Sequence, residues 1–292
     1  MNKSTMQRIR PLLLLMLPAL VHASNVSFQK DVAYLGPDRA EKMDVYTPKG
    51  ESDGPRPAVL WIHGGGWVGG NKLSKREKVI CKALAEEGYV AFSIDYRLGS
   101  YKSKTLPGGG VDVPWPQNIY DCKSALRYIR KESARFGVDP DRIAVAGGSA
   151  GGHLALLVGV SGDVDALNHG GLYLEQSNQV ACIVDFYGIV EVTGGRQKLF
   201  AGDTDAETAE NLRLANILTH VDRETPPVFI AHGTRDGTVK LSQSKKLADA
   251  LTQANVPHTF IEVEGAPHSF DLQPEQMDLR PALFEFLAKH LK

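Results

Sequence analysis

The sequence predicts an α/β fold: a mostly parallel, eight-stranded sheet with helices on both faces and short lid loops. Three observations predict it. Short apolar runs alternate along the chain with stretches that carry a helical apolar stripe. The runs are nearly continuous rather than alternating, as in strands buried on both faces of a parallel sheet. No repeat, low-complexity tract or long linker breaks the rhythm. A chain of 292 residues, 42% hydrophobic and 23% charged, therefore fits one large domain of ordinary globular composition.

The elements follow in order. Residues 1–23 read as a signal peptide: Lys3, Arg8 and Arg10 precede the apolar run "PLLLLMLPALV", and small residues close it at Ala23. The run is short for a membrane span, which disfavours an uncleaved anchor. A secreted or periplasmic protein is expected, with residues 24–292 as its one folded domain and no membrane span in the mature chain. Two short β-like pieces, Val32–Tyr34 and Met43–Tyr46, suit an antiparallel edge. "AVLWIH" (Ala58–His63) is a buried strand. "LSKREKVICKALAEEG" is a helix with its apolar stripe at positions 79, 80, 83 and 84, ending at Gly88; its "KREK" group (Lys75–Lys78) suits an exposed face. "YVAFSIDY" is a strand. "PQNIYDCKSALRYIRKESARFG" is a helix with Ile119, Cys122, Leu126 and Ile129 on one face. "RIAVAGG" is a strand and "AGGHLALLVGV" a helix. "VACIVDFYG" and "PVFIAHG" are strands, followed by the helix "LSQSKKLADALTQAN", the strand "HTFIEVEG" and the helix "RPALFEFLAKHLK". Residues Leu98–Pro116 and Ile189–Thr225 lack this rhythm and suit lids or binding loops.

Charge and cysteines exclude some functions. The full chain has 33 Lys and Arg against 34 Asp and Glu, and loss of the three leader cations makes the mature chain more acidic. Its positive residues are scattered, which is not the clustered basic footprint of a nucleic-acid binder. Three cysteines (Cys81, Cys122 and Cys182) leave at least one thiol unpaired. Without a CxxC pair a structural zinc site is not expected, and no metal or organic cofactor is called for. Cys182, in an apolar run, suits a small buried thiol.

The chemistry concentrates at "IAVAGGSAGGHLALL". Gly147-Gly148-Ser149-Ala150-Gly151 is G-x-S-x-G between a strand and a helix, the context that lifts a serine Oγ above the sheet at a helix N-terminus. Serine needs a base, and the base an orienting acid. With this elbow the acid and then the histidine follow in the chain. Of the later histidines, only His268 lies in a short loop between the last strand and the last helix; His153 is one helical turn past Ser149 and suits packing. Asp236, just past a strand end in "AHGTRDGTV", is placed to point at His268, whereas Asp222 and Glu224 precede that strand. In "WIHGGGWVGG" the bare backbone after a strand can turn amides toward an anion. Gly65 and Gly66, with the N–H of Ala150, are assigned as the oxyanion donors.

A rival pattern overlaps this one. Gly64-x-Gly66-x-x-Gly69 also fits a dinucleotide-binding fingerprint, with Asp95 as the ribose acid, but Asp95 lies further on than the usual spacing and Trp67 would crowd a pyrophosphate. A non-catalytic binding module on a hydrolase scaffold is a second alternative, although such modules usually lack one of the three side chains.

The motifs "HGGGW", "SIDYRL", "PQNIYDCKSALRYIR", "DRIAVAGGSAGGHLALL", "PPVFIAHGTRD" and "GAPHSF" resemble those of the α/β-hydrolase superfamily. The resemblance is strongest to hormone-sensitive-lipase-like and BD-FAE-like bacterial esterases, and it spans nearly the whole mature chain. It implies the α/β-hydrolase fold, a catalytic triad of Ser149, Asp236 and His268, and an oxyanion hole of Gly65, Gly66 and Ala150. One feature departs: too few residues separate Ser24 from Ala58 for the helical cap of the hormone-sensitive-lipase-like enzymes. An open site roofed by the Leu98–Pro116 and Ile189–Thr225 loops is expected instead. The resemblance implies a serine carboxylesterase for short-chain acyl esters, with acetyl or feruloyl esters of carbohydrates as the leading substrates. An amidase such as an arylformamidase, or a peptidase, would use the same three residues.

Overall fold

The structure is a computed structural model that describes residues 25–102 and 110–291. The expected leader lies outside the described residues, as does part of the Leu98–Pro116 loop. The strands are β1 (Val26–Val32), β2 (Met43–Pro48), β3 (Arg56–Ile62), β4 (Val90–Ile94), β5 (Val138–Gly148), β6 (Cys182–Phe186), β7 (Val228–Gly233) and β8 (His258–Val263). They form one sheet in the order β1-β2-β4-β3-β5-β6-β7-β8. β2 runs antiparallel to both β1 and β4, and every pairing from β4 to β8 is parallel.

The helices are α1 (Lys75–Glu86), α2 (Gln117–Lys131), α3 (Ser133–Phe136), α4 (Ala150–Val160), α5 (Asp165–Asn168), α6 (Asp205–Ala215), α7 (Ser242–Gln253) and α8 (Arg280–His290). Strand pleat divides the core between two layers. Leu60, Ile62 and Val145 face α2, α4 and α7, while Trp61, Ala144 and Ala146 face α1 and α8. α4 is buried along its whole length, which explains why its sequence is apolar all round.

The expected edge pair is displaced at its first strand. β1 is Val26–Val32, not Val32–Tyr34, because its five central residues are all solvent-exposed and carry no apolar pattern. The stripe of α1 is also rotated. Its buried residues are Glu77, Ile80, Cys81, Leu84 and Ala85, and Val79 is exposed. Glu77 can be buried because Arg76 donates to it at 2.6 Å, so half of "KREK" points inward. All three cysteines are free and buried. Among the described residues, no helix is long and apolar enough to cross a membrane.

The insertion after β6 is more structured than its sequence suggests. It holds a 3₁₀ segment (Gly194–Phe200), α6 and a 3₁₀ turn (Ile217–Thr219). Thr204 caps α6 by accepting from the Glu207 N–H at 3.1 Å, and Glu207 reaches back to the Asp203 N–H at 2.8 Å. The two insertions meet through aromatic rings. Trp115 and Phe200 lie 5.2 Å apart, and Phe200 and Trp67 lie 5.1 Å apart.

Candidate active site

Every parallel strand ends on the same edge of the sheet, and the loops leaving that edge bring the site together. Ser149 joins β5 to α4 with φ 59 and ψ −123, a left-handed backbone that is strained for a residue with a side chain. The flanking glycines make the turn possible. A Cβ on Gly147 would collide with the Gly151 carbonyl, and one on Gly151 with the carbonyl of Ile62. The Ser149 N–H is held by Phe186 O at 2.9 Å.

The structure brings the three expected side chains together. His268 Nε2 lies 2.9 Å from Ser149 Oγ, and His268 Nδ1 lies 2.6 Å from Asp236 Oδ2. An ionised carboxylate only accepts, so Nδ1 carries the hydrogen and Nε2 offers its lone pair to the serine O–H. Asp236 is firmly oriented: its Oδ1 accepts from the N–H groups of Thr238 and Val239 at 2.8 and 2.9 Å. Burial alone would raise its pKa. The hydrogen bonds from His232, His268, Val239 and Thr238 overcome that penalty and hold it well below the usual carboxylate range.

Of the expected oxyanion donors, Ala150 directly follows Ser149, and the loop of Gly65 and Gly66 approaches it through Gly64, where a Cβ would stand 3.3 Å from Ser149 Cβ. Ala150 is the first residue of α4, so its N–H has no partner within the helix. Gly65 and Gly66 have φ values of 119 and 62. Gly65 O accepts from Val68 and Gly69 at 3.2 and 3.0 Å, which closes the loop on its carbonyl side.

The remaining residues that the sequence singles out sort by geometry. His153 is buried, with Nε2 2.8 Å from Ala215 O and its ring 5.1 Å from Trp67, so it packs, as expected. The Asp95 carboxylate accepts from the Lys72 N–H at 2.9 Å, so it holds the loop that a dinucleotide reading would need open. Among the described residues, no group of three or more His, Cys, Asp or Glu is placed to hold a metal.

Two neighbours of the site escape sequence reasoning. His232, on β7, lies 3.2 Å from Asp236 Oδ2. Its Nδ1 faces Ser244 Oγ at 2.7 Å and its Nε2 faces Val239 O at 3.0 Å, so Nε2 carries the hydrogen toward both acceptors. Its four-residue separation from Asp236 across a strand end was the one available signal. Tyr187, just past β6, sets its ring 4.8 Å from that of His268, and nothing in "VDFYG" marks it.

Comparisons with known proteins bear on the family and the fold. The family model BD-FAE matches residues 43–251. The chain is 30% identical over 249 residues to the esterase LipC of Mycobacterium tuberculosis, covering 81% of this chain and 59% of LipC; it thus spans little more than half of that relative. Among solved structures it is similar to a truncated carbohydrate esterase from gut microbiota, with a TM-score of 0.78 and 24% identity over 92% of this chain and 98% of that one, a likeness of fold. It is also similar to esterase 2 of Thermogutta terrifontis with butyrate bound, with a TM-score of 0.70 and 26% identity over 91% of this chain and 93% of that one. The chain has the α/β-hydrolase fold and belongs to the BD-FAE family.

Proposed function

We propose that the protein is a serine carboxylesterase that hydrolyses short acyl esters through an acyl-enzyme, with acetyl esters of carbohydrates as its substrate class. One observation carries the reading: the unbroken line from Asp236 through His268 to Ser149, at 2.6 and 2.9 Å, beside an unpaired helix N-terminus. In the first half-reaction His268 Nε2 takes the Ser149 proton as Oγ attacks the ester carbonyl. The amides of Gly65, Gly66 and Ala150 receive the oxyanion, each such donor being worth roughly 3 kcal/mol. The imidazolium then protonates the leaving alcohol. Water attacks the acyl-serine with the same base, which frees the acid and restores Oγ–H.

Supporting the short acyl group, the rings beside the oxyanion loop are packed against one another. Trp67, next to Gly66 in the chain, and Phe200 are wholly buried, which favours a short acyl group over a long chain or a feruloyl ring. The carbohydrate side of the reading rests on the motifs shared with BD-FAE-like esterases. Export is proposed from the basic and apolar leader sequence alone.

Ser149→Ala should fold as the parent does and lose turnover by orders of magnitude. A p-nitrophenyl ester series run beside acetylated xylan and methyl ferulate should show preference for acetyl. Near-parental turnover by the alanine variant would overturn the mechanism, and cleavage of anilides in preference to esters would point to an amidase.

A further inference from the structure

Tyr187 is the point at which three parts of the site meet, yet it makes no hydrogen bond to Ser149, Asp236 or His268. Its backbone is left-handed, with φ 44, which for an aromatic residue persists only where the surroundings over-determine it. The Tyr187 N–H is fixed on Ala231 O at 2.8 Å. Its ring is fully buried and meets two rings of the histidine loop: His268 at 4.8 Å and Phe270 at 4.7 Å. Its hydroxyl donates to Phe270 O at 2.5 Å, two residues beyond the base. Ring and hydroxyl therefore grip the same loop from one side.

The hydroxyl is itself held. Arg76 Nη1 donates to it at 3.3 Å, and Arg76 Nη2 donates to the buried Glu77 at 2.6 Å. Arg76 also borders the oxyanion loop. A Cβ placed on Gly64 would stand 3.3 Å from both Arg76 Nη2 and Ser149 Cβ. The elbow closes the third side, since a Cβ on Gly148 would stand 3.1 Å from the Tyr187 ring. One phenol thus joins the start of α1, the nucleophile turn and the loop after β8.

We infer that Tyr187 is a positioning residue for the reaction: its ring braces the His268 imidazole, and its Arg76-anchored hydroxyl tethers the loop that carries it. His268 must pass a proton from Ser149 to a leaving alcohol without drifting from either. A misplacement of about 1 Å at such a step costs about 10²-fold, so a loosened tether costs rate rather than binding. The inference rests on the Ser149–His268 reading above.

The test uses the full chain with Tyr187→Phe, which keeps the ring and removes the tether. Hydrolysis of p-nitrophenyl acetate should lose about tenfold in kcat while KM stays within about twofold. The low-field proton resonance of His268 Nδ1–H should broaden or shift. Arg76→Gln should move both readouts in the same direction by less, and it serves as the test if Tyr187→Phe does not fold. Tyr173→Phe, which removes another hydroxyl bond to a backbone carbonyl (Tyr34 O, 3.0 Å), should leave kcat and the resonance unchanged. Active sites are counted by stoichiometric labelling with paraoxon. A Tyr187→Phe enzyme with parental kcat per labelled site and an unmoved resonance overturns the inference, as does a loss that only tracks the labelled fraction. Failure of paraoxon to label Ser149 in the parent would instead overturn the hydrolase reading.

Discussion

Gly151 shows how little slack the nucleophile turn has. Its missing side chain lets α4 lie directly on the end of β3, where the carbonyls of Ile62 and His63 occupy the space of a Cβ. Gly151→Ala must push helix from strand, an overpacking cost of about 1–3 kcal/mol, and it displaces Ser149 and the oxyanion loop together. A lower urea midpoint with loss of turnover is expected; a stable, active alanine variant would show that the turn relaxes. Asp236 makes the second residue-scale prediction. Asp236→Asn replaces the acceptor that fixes the His268 tautomer, and in triads of this kind that change costs about 10⁴-fold in kcat. Its stability cost has a definite sign with pH. Because the folded-state pKa of Asp236 is lowered, the carboxylate stabilises the fold above its unfolded-state value, and that contribution fades as pH falls toward the folded-state value. Denaturation of parent and variant should therefore differ at neutral pH and converge in strong acid. Ser149, Asp236 and His268 were legible in the sequence because each sits where an apolar run stops at a strand end. Tyr187 and Arg76 were not, since an aromatic after a strand reads as core and a cation in "KREK" reads as solvated surface.

At the scale of elements, legibility followed burial. β3 to β7 are covered on both faces, so their apolar runs announced them. β1, an edge strand with five exposed residues, left no hydrophobic signal, and the Glu77–Arg76 pair hid the true stripe of α1. The insertion after β6 was legible as a charged, weakly helical break in rhythm; α6 has a local cap at Thr204, but the rest of its order rests on long-range contacts such as Phe200 against Trp115 and Trp67. That cluster yields a prediction. If the rings limit the acyl group, Phe200→Leu should open room and raise kcat/KM for p-nitrophenyl hexanoate relative to the acetate by about tenfold, since each methylene admitted to an apolar pocket is worth roughly 1–3 kcal/mol. An unchanged chain-length profile would place the acyl limit elsewhere.

For the whole molecule, the balance between stability and function shows in a carboxyl group that the reaction does not use. Asp185 lies at the centre of the sheet, paired with Gly147 on one side and Ile230 on the other. It is wholly buried, and Gly152 and Gly188 are bare where side chains would strike it. Burial raises its pKa to about 7, with the nearby His232 and the Gly188 N–H opposing that rise. The protonated acid is thus the form the fold accepts, and the sign of the linkage follows. Below the unfolded-state value, about 4, both states hold the proton and pH has no effect. Between about pH 4 and pH 7 the folded protein keeps a proton that the unfolded chain has released, so stability falls as pH rises. Above about 7 the loss is complete, at roughly 2–4 kcal/mol. Asp185→Asn keeps the shape and removes the titration. Urea denaturation from pH 5 to pH 9 should show the parent losing stability more steeply than the variant, with the variant the more stable of the two at pH 9. Parallel curves across that range would mean that Asp185 is ionised in the fold and that the sheet beneath the nucleophile turn shelters a charge.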